Sequence, residues 1–124
     1  MSTWEIILVS EVVDWYLALP TRDAALVGEA IDMLAEHGPS LGRPLIDSLT
    51  GSRVHNMKEL RPASSGRTRF RILFAFDPKR RAILLAAGDK SGVWRRWYDK
   101  LIPEAEKRYD EWLTMIDLGQ DEGE

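Results

Sequence analysis

The chain has 124 residues, 44% of them apolar, and a formal charge of −3. That is room for one domain with a modest core, and too much apolar content for a disordered polymer. The absence of cysteine excludes a disulfide framework, thiolate metal sites and a cysteine nucleophile, and it suits a reducing cytoplasm. No apolar run is long enough to cross a bilayer. No basic residue precedes the short apolar stretch Trp4 to Val9 as one would in a signal peptide, so a cytoplasmic protein with no membrane partner is expected.

The net charge conceals an uneven distribution. Residues 1–52 hold two basic residues, Arg22 and Arg43, against eight carboxylates. Residues 53–96 hold twelve against Glu59, Asp77 and Asp89, and residues 97–124 hold three against nine. A middle of +9 between ends of −6 suits a localised polyanion site, and it equally suits a solvated sheet face.

Trp4 to Val9 is β-branched and aromatic and predicts a first strand. Ser10 is placed to cap a short helix over 11–18, which Pro20 ends. Thr21 is placed to cap a second helix, with Leu26, Ala30, Ile31, Leu34 and Ala35 at helical spacing and Gly38-Pro39 as its stop. With so few residues between them, these helices are expected to form an N-terminal helical hairpin. Residues 38–52, rich in Gly and Pro, predict a surface loop.

Beyond the loop the period becomes two. His55, Met57, Glu59 and Arg61 share one face of a strand, with Leu60 on the other. Phe70, Ile72, Phe74 and Phe76 oppose Arg67, Arg69 and Arg71 on the next, and Ala82 to Gly88 follows the turn Asp77 to Arg80. The expected architecture is α+β: an antiparallel sheet with one helix-packed face and one open basic face. Trp94, Trp97, Tyr98 and Leu101 predict a late helix, and Pro103 predicts the first turn of a further one carrying Ala105, Tyr109, Trp112 and Ile116. The domain is expected to span 1–118, with residues 119–124 as an acidic frayed tail.

The run Met57-Lys58-Glu59-Leu60-Arg61, then Gly66, then Arg69 to Asp77, then Gly88-Asp89-Lys90 resembles the core of RelE/HigB-type toxins, in particular the phage-derived branch of HigB-like proteins. In element order the resemblance covers nearly the whole chain; its specific motif covers about residues 55–98, and its specificity lies in the ordered set of patches. It implies the toxin of a type II toxin–antitoxin pair that cuts mRNA in the ribosomal A site, with a cognate antitoxin, expected to be a helix-turn-helix protein, as inhibitory partner. The RNA's own 2′-hydroxyl is then the nucleophile, so no metal or other cofactor is needed. Something must take that proton, something must neutralise the phosphorane and something must protonate the leaving 5′-oxygen.

Arg71 matches the arginine that follows the glycine turn in RelE-like sequences and is the candidate for the phosphorane, since a guanidinium grips phosphate bidentately and keeps its charge. Arg61 and Glu59 point the same way from the preceding strand. Glu59 is either a general base or a carboxylate that orients the arginines; the best-known RelE toxins tend to carry lysine there, so the identity of the base stays open. Lys90 stands where RelE-like toxins carry a basic catalytic or phosphate-binding residue. Arg67, Arg69, Arg95, Arg96, Tyr98 and His55 are candidates for RNA contact, each also explicable as solvated surface, or for the aromatic residues as core. No His and carboxylate set has metal-ligand spacing, and there is no glycine-rich phosphate loop. The competing readings are a ParE-like toxin that poisons DNA gyrase by binding alone, and a non-catalytic RNA-binding relic.

Overall fold

A computed structural model describes residues 4–54, 56–64, 66–92 and 94–117. The described elements are, in order, β1 (Glu5–Leu8), α1 (Ser10–Leu17), α2 (Thr21–His37), a 3-10 turn (Gly38–Ser40), β2 (Ile46–Ser48), β3 (Lys58–Leu60), β4 (Phe70–Phe76), β5 (Arg81–Asp89) and α3 (Trp94–Asp117). The five strands form one sheet in the order β1-β5-β4-β3-β2. The α+β class and the C-terminal helix are as expected, but three features correct the expectation.

First, the sheet is mixed. β2, β3, β4 and β5 run antiparallel in sequence, but β1 joins the far edge parallel to β5, with Glu5 opposite Arg81 and Leu8 opposite Leu84. The helices between them carry the chain across one face, the crossover that parallel pairing requires.

Second, α1 and α2 do not make a hairpin packed on itself. Tyr16 bridges them by donating its hydroxyl to Ala24 O at 3.2 Å. Their buried side chains, Val12 of α1 with Val27, Ala30 and Leu34 of α2, are given instead to the sheet, against Leu60, Phe70, Ile72, Phe74 and Leu84. Nor do Ser10 and Thr21 cap these helices. Each is the first helical residue, and the N-cap positions are Val9 and Pro20.

Third, the other face of the sheet is not open. Leu73, Ala75, Ile83, Leu85 and Ala86 pack with Met57 beneath Ala105 and Tyr109 of α3. Both faces of β5 are therefore buried, which is why its sequence reads as a continuous apolar run. The second core covers only part of that face, and the end carrying Arg71 and Glu59 lines a pocket instead. Of the one or two C-terminal helices expected, the structure has one, of 24 residues, that runs through Pro103.

Within the predicted loop 38–52, β2 pairs Ile46 with Leu60 and Asp47 with Glu59. β4 and β5 change register between Leu73 and Phe74, leaving Leu85 as the extra residue of a bulge. The Leu85 carbonyl accepts from Arg108 Nη1 of α3 at 2.8 Å. Past the bulge the phase of β5 shifts, so that Arg71 faces Gly88 across the ladder.

Candidate active site

Glu59 is the hub. It sits mid-strand in β3 between Asp47 of β2 and Leu73 of β4, and only 2% of its surface is exposed. A carboxylate so buried persists only if its oxygens are taken up. Oε1 accepts from Arg61 Nε at 2.9 Å and lies 3.9 Å from Arg71 Nε, while Oε2 accepts from the Tyr98 hydroxyl. Arg61, just past β3, is held by its backbone N–H to Leu45 O at 2.7 Å and pairs with Asp47 Oδ2 at 3.3 Å. Burial works against its charge, but Glu59 and Asp47 outweigh burial and hold its pKa above the usual arginine value.

Arg71 is less comfortable. Its side chain is 13% exposed, Nη1 donates to Phe70 O at 2.7 Å, and among the described residues its buried Nε has no hydrogen-bond partner. Burial depresses its pKa, opposed by Glu59 and reinforced by Arg61. Such a cation is short of anionic partners, which is what a phosphate site requires.

Lys90 follows β5. Asp89 shapes this corner, its Oδ1 accepting from the Arg69 and Ser91 backbone N–H groups at 2.9 Å each, and Lys90 N–H donates to Arg69 O at 3.0 Å. Lys90 Nζ donates to the Tyr98 hydroxyl at 3.2 Å. Burial, then the charge of Arg71, lowers the Lys90 pKa below the ordinary lysine value. Burial and the hydrogen bond to Glu59 push the Tyr98 phenol far up, so it keeps its proton.

These groups line a pocket of about 1060 Å³. The structure brings Glu59, Arg61, Arg69, Arg71, Lys90, Arg95 and Tyr98 together around it, while Arg67 and Arg96 are exposed and not part of its wall. His55 lies outside the described residues. The sequence alone did not mark three contributors. Asp47 comes from the unforeseen edge strand and pairs with both Arg61 and Arg43. The segment Leu49 to Gly51 forms a wall, pinned to α3 because Glu106 Oε2 accepts from Ser52 Oγ at 2.9 Å and Arg53 N at 2.7 Å. Trp94 opens α3 at the rim. The usable signals were Leu45-Ile46 as an apolar pair within a polar loop, and Trp94 at four residues from Tyr98. Among the described residues, no group of three or more His, Asp or Glu side chains is gathered as a metal site needs.

A model of the family described as "Phage derived protein Gp49-like" matches residues 14–110. The chain belongs to this family. The Gp49-like match takes in β2 through β5 and every pocket residue named above, and leaves out β1. The chain is 54% identical over 109 residues to the Mycobacterium tuberculosis protein named "Putative toxin HigB3", covering 88% of this chain and 93% of that protein. It is 50% identical over 109 residues to that organism's "Putative toxin HigB2", covering 88% of this chain and 54%, about half, of that longer protein. The HigB-like resemblance carried by residues 57–90 therefore holds. No described helix is long and apolar enough to cross a membrane.

Proposed function

We propose that this Gp49-like chain is the toxin of a type II toxin–antitoxin pair and an endoribonuclease that cuts mRNA on the ribosome. The observation that carries this reading is the group around Glu59: a buried carboxylate holding Arg61 and Tyr98, with Arg71, whose Nε lacks a hydrogen-bond partner among the described residues, and Lys90, bonded to Tyr98, beside it. The likeness to proteins named as toxins supports it.

With one oxygen engaged by Arg61 and the other by Tyr98, Glu59 orients its neighbours and is not the base. Lys90, its proton affinity lowered, takes the 2′-hydroxyl proton. The freed 2′-oxygen attacks phosphorus, Arg71 and Arg61 hold the added negative charge, and the P–O5′ bond breaks. The departing 5′-oxygen takes a proton from water at the open mouth. The products are a 2′,3′-cyclic phosphate and a 5′-hydroxyl end, and no metal or co-reactant enters the balance. A cognate antitoxin silences the chain by covering the same cationic pocket.

The test is cleavage of mRNA on purified programmed ribosomes, with product ends mapped. Wild-type protein pre-treated with chelator should cut at the untreated rate and leave those ends, and Arg71→Ala should be inert. Activity restored only by a transition metal would overturn the metal-free mechanism. Growth arrest with intact mRNA and gyrase-dependent DNA damage would overturn the nuclease in favour of a ParE-like toxin.

A further inference from the structure

Of the five tryptophans, all among the described residues, Trp94 alone is exposed, with 53% of its surface accessible. A single exposed apolar side chain needs no explanation by itself, but this ring lines the charged pocket and leaves aromatic surface free there. Its setting is built. Asp89 Oδ1 holds the Ser91 N–H, Gly92 turns with φ of 89°, where a side chain would be strained, and Trp94 N–H donates to Gly92 O at 3.0 Å. Together these fix where α3 begins. One turn on, Tyr98 meets the Trp94 ring edge-on, with centroids 6.1 Å apart and planes at 77°. The Arg95 guanidinium lies 5.7 Å from the Trp94 ring centroid, so the ring is oriented and electrostatically primed.

Tyr98 cannot offer the same service. Its hydroxyl is committed to Glu59, Lys90 Nζ stands 5.3 Å over its ring, and Trp97 abuts it at 4.9 Å. Trp97 is itself tucked against Gly88. We propose that Trp94 is the platform on which an unpaired RNA base stacks beside the cation cluster, so that the site takes a nucleotide already out of a duplex. This rests on the reading of the chain as a ribonuclease and adds to it the contact that selects unstacked nucleotides. Base stacking on an aromatic face needs no particular base, so the contact sets conformation and not sequence.

The experiment uses the full chain and ribosomes programmed with mRNA carrying 2-aminopurine in the A-site codon and a 2′-deoxyribose at the cut. The missing 2′-hydroxyl holds the complex uncut, and stacking quenches the probe. Wild type and Trp94→Phe should quench, whereas Trp94→Ala and Trp94→Leu should bind about five- to a hundred-fold more weakly without quenching. On cleavable mRNA the same two variants should raise KM more than they lower kcat, with unchanged melting. Leucine keeps the apolar bulk and loses the ring, so a leucine variant indistinguishable from phenylalanine means packing and overturns the proposal. Wild-type affinity and quenching in a folded Trp94→Ala also overturn it while leaving the nuclease intact, and would hand Trp94 to an antitoxin contact. A wild-type chain that neither quenches nor cuts overturns both.

Discussion

Arg71 and Glu59 show how far a strand's parity carries an argument about single residues. Parity puts Arg71, Arg61 and Glu59 on one face, and the structure agrees, but it says nothing about depth. Arg71 is expected on an open face and instead is mostly buried, with an Nε that lies 3.9 Å from Glu59 Oε1 and has no hydrogen-bond partner among the described residues. An apolar side chain of similar length at 71 removes the burial cost of a cation whose contact with Glu59 is long, and Glu59 keeps Arg61 and Tyr98 as partners. Arg71→Met should therefore melt at or above wild type while cleavage is lost; a substantially lower Tm would make Arg71 structural. Glu59→Gln has the opposite sign, because it takes a carboxylate from Arg71 and leaves Arg61 with Asp47 in place of two. It should cost about 2 kcal/mol, below the range for a fully buried pair because Arg61 reaches solvent, as read by denaturant titration. Lys90 gives a pH signature. Unfolded, it keeps its proton up to the ordinary value of 10.5, and folded it loses it sooner, first through burial and then through Arg71. Between those values the unfolded chain binds more protons, so stability rises with pH across that window. Lys90→Met should melt higher than wild type at pH 7, and the gap should close towards pH 10.5. The alkaline rise in kcat/KM should inflect below 10.5 in wild type and vanish in that variant.

Elements with a clean period were legible, and those made by distant partners were not. The alternation Phe70, Ile72, Phe74 gives β4, and the spacing in 21–37 gives α2. β2 has only three residues, too few for a period, and exists because Leu60 and Glu59 pair with it. The open basic face was misjudged because strand alternation cannot reveal which helix will lie across it. Leu73 and Ala75 interrupt the run of arginines at 67, 69 and 71, and that break marks where α3 begins to cover the sheet. Pro103 suits the first turn of a helix, yet α3 runs through it, anchored beyond by Arg108 on the bulge, Tyr109 on Phe76 O at 3.1 Å and Trp112 on Asp77 at 3.0 Å. At the other end α3 rests on Gly88, where an added Cβ would lie 2.7 Å from Trp97 Nε1. Gly88→Ala should thus cost about 1–3 kcal/mol by overpacking and lift the turn that carries Tyr98 and Trp94. Thermal melts should show the loss, and pairing it with Trp97→Phe should recover part of both stability and cleavage. Equal melting of Gly88→Ala and wild type would mean that α3 is not seated on this glycine.

At the scale of the molecule, the +9 middle segment and its −6 flanks are partly interleaved around the pocket. Asp47 from the first segment and Glu106 from the last stand beside Arg61, Arg69, Arg71 and Lys90. On the proposed reading, phosphate binding there would release condensed counterions, so ribosome association should weaken steeply with salt, and more steeply than binding of a protein partner that also buries apolar surface. A flat salt series would remove the pocket from the RNA path. The charge map was legible because it needs only counting; the interleaving was not, because it needs the fold. The parallel pairing of β1 with β5 has a consequence for how the chain is made. The first of the described strands waits for the last of them, since Glu5 finds its partner only in Arg81, and Trp94 and Tyr98 emerge later still. Distant pairing of this kind delays closure during synthesis. A nascent chain therefore carries its arginines without the helix that organises them. The pocket takes its final form only once α3 has emerged and set Tyr98 and Trp94 beside the residues of β3 and β4.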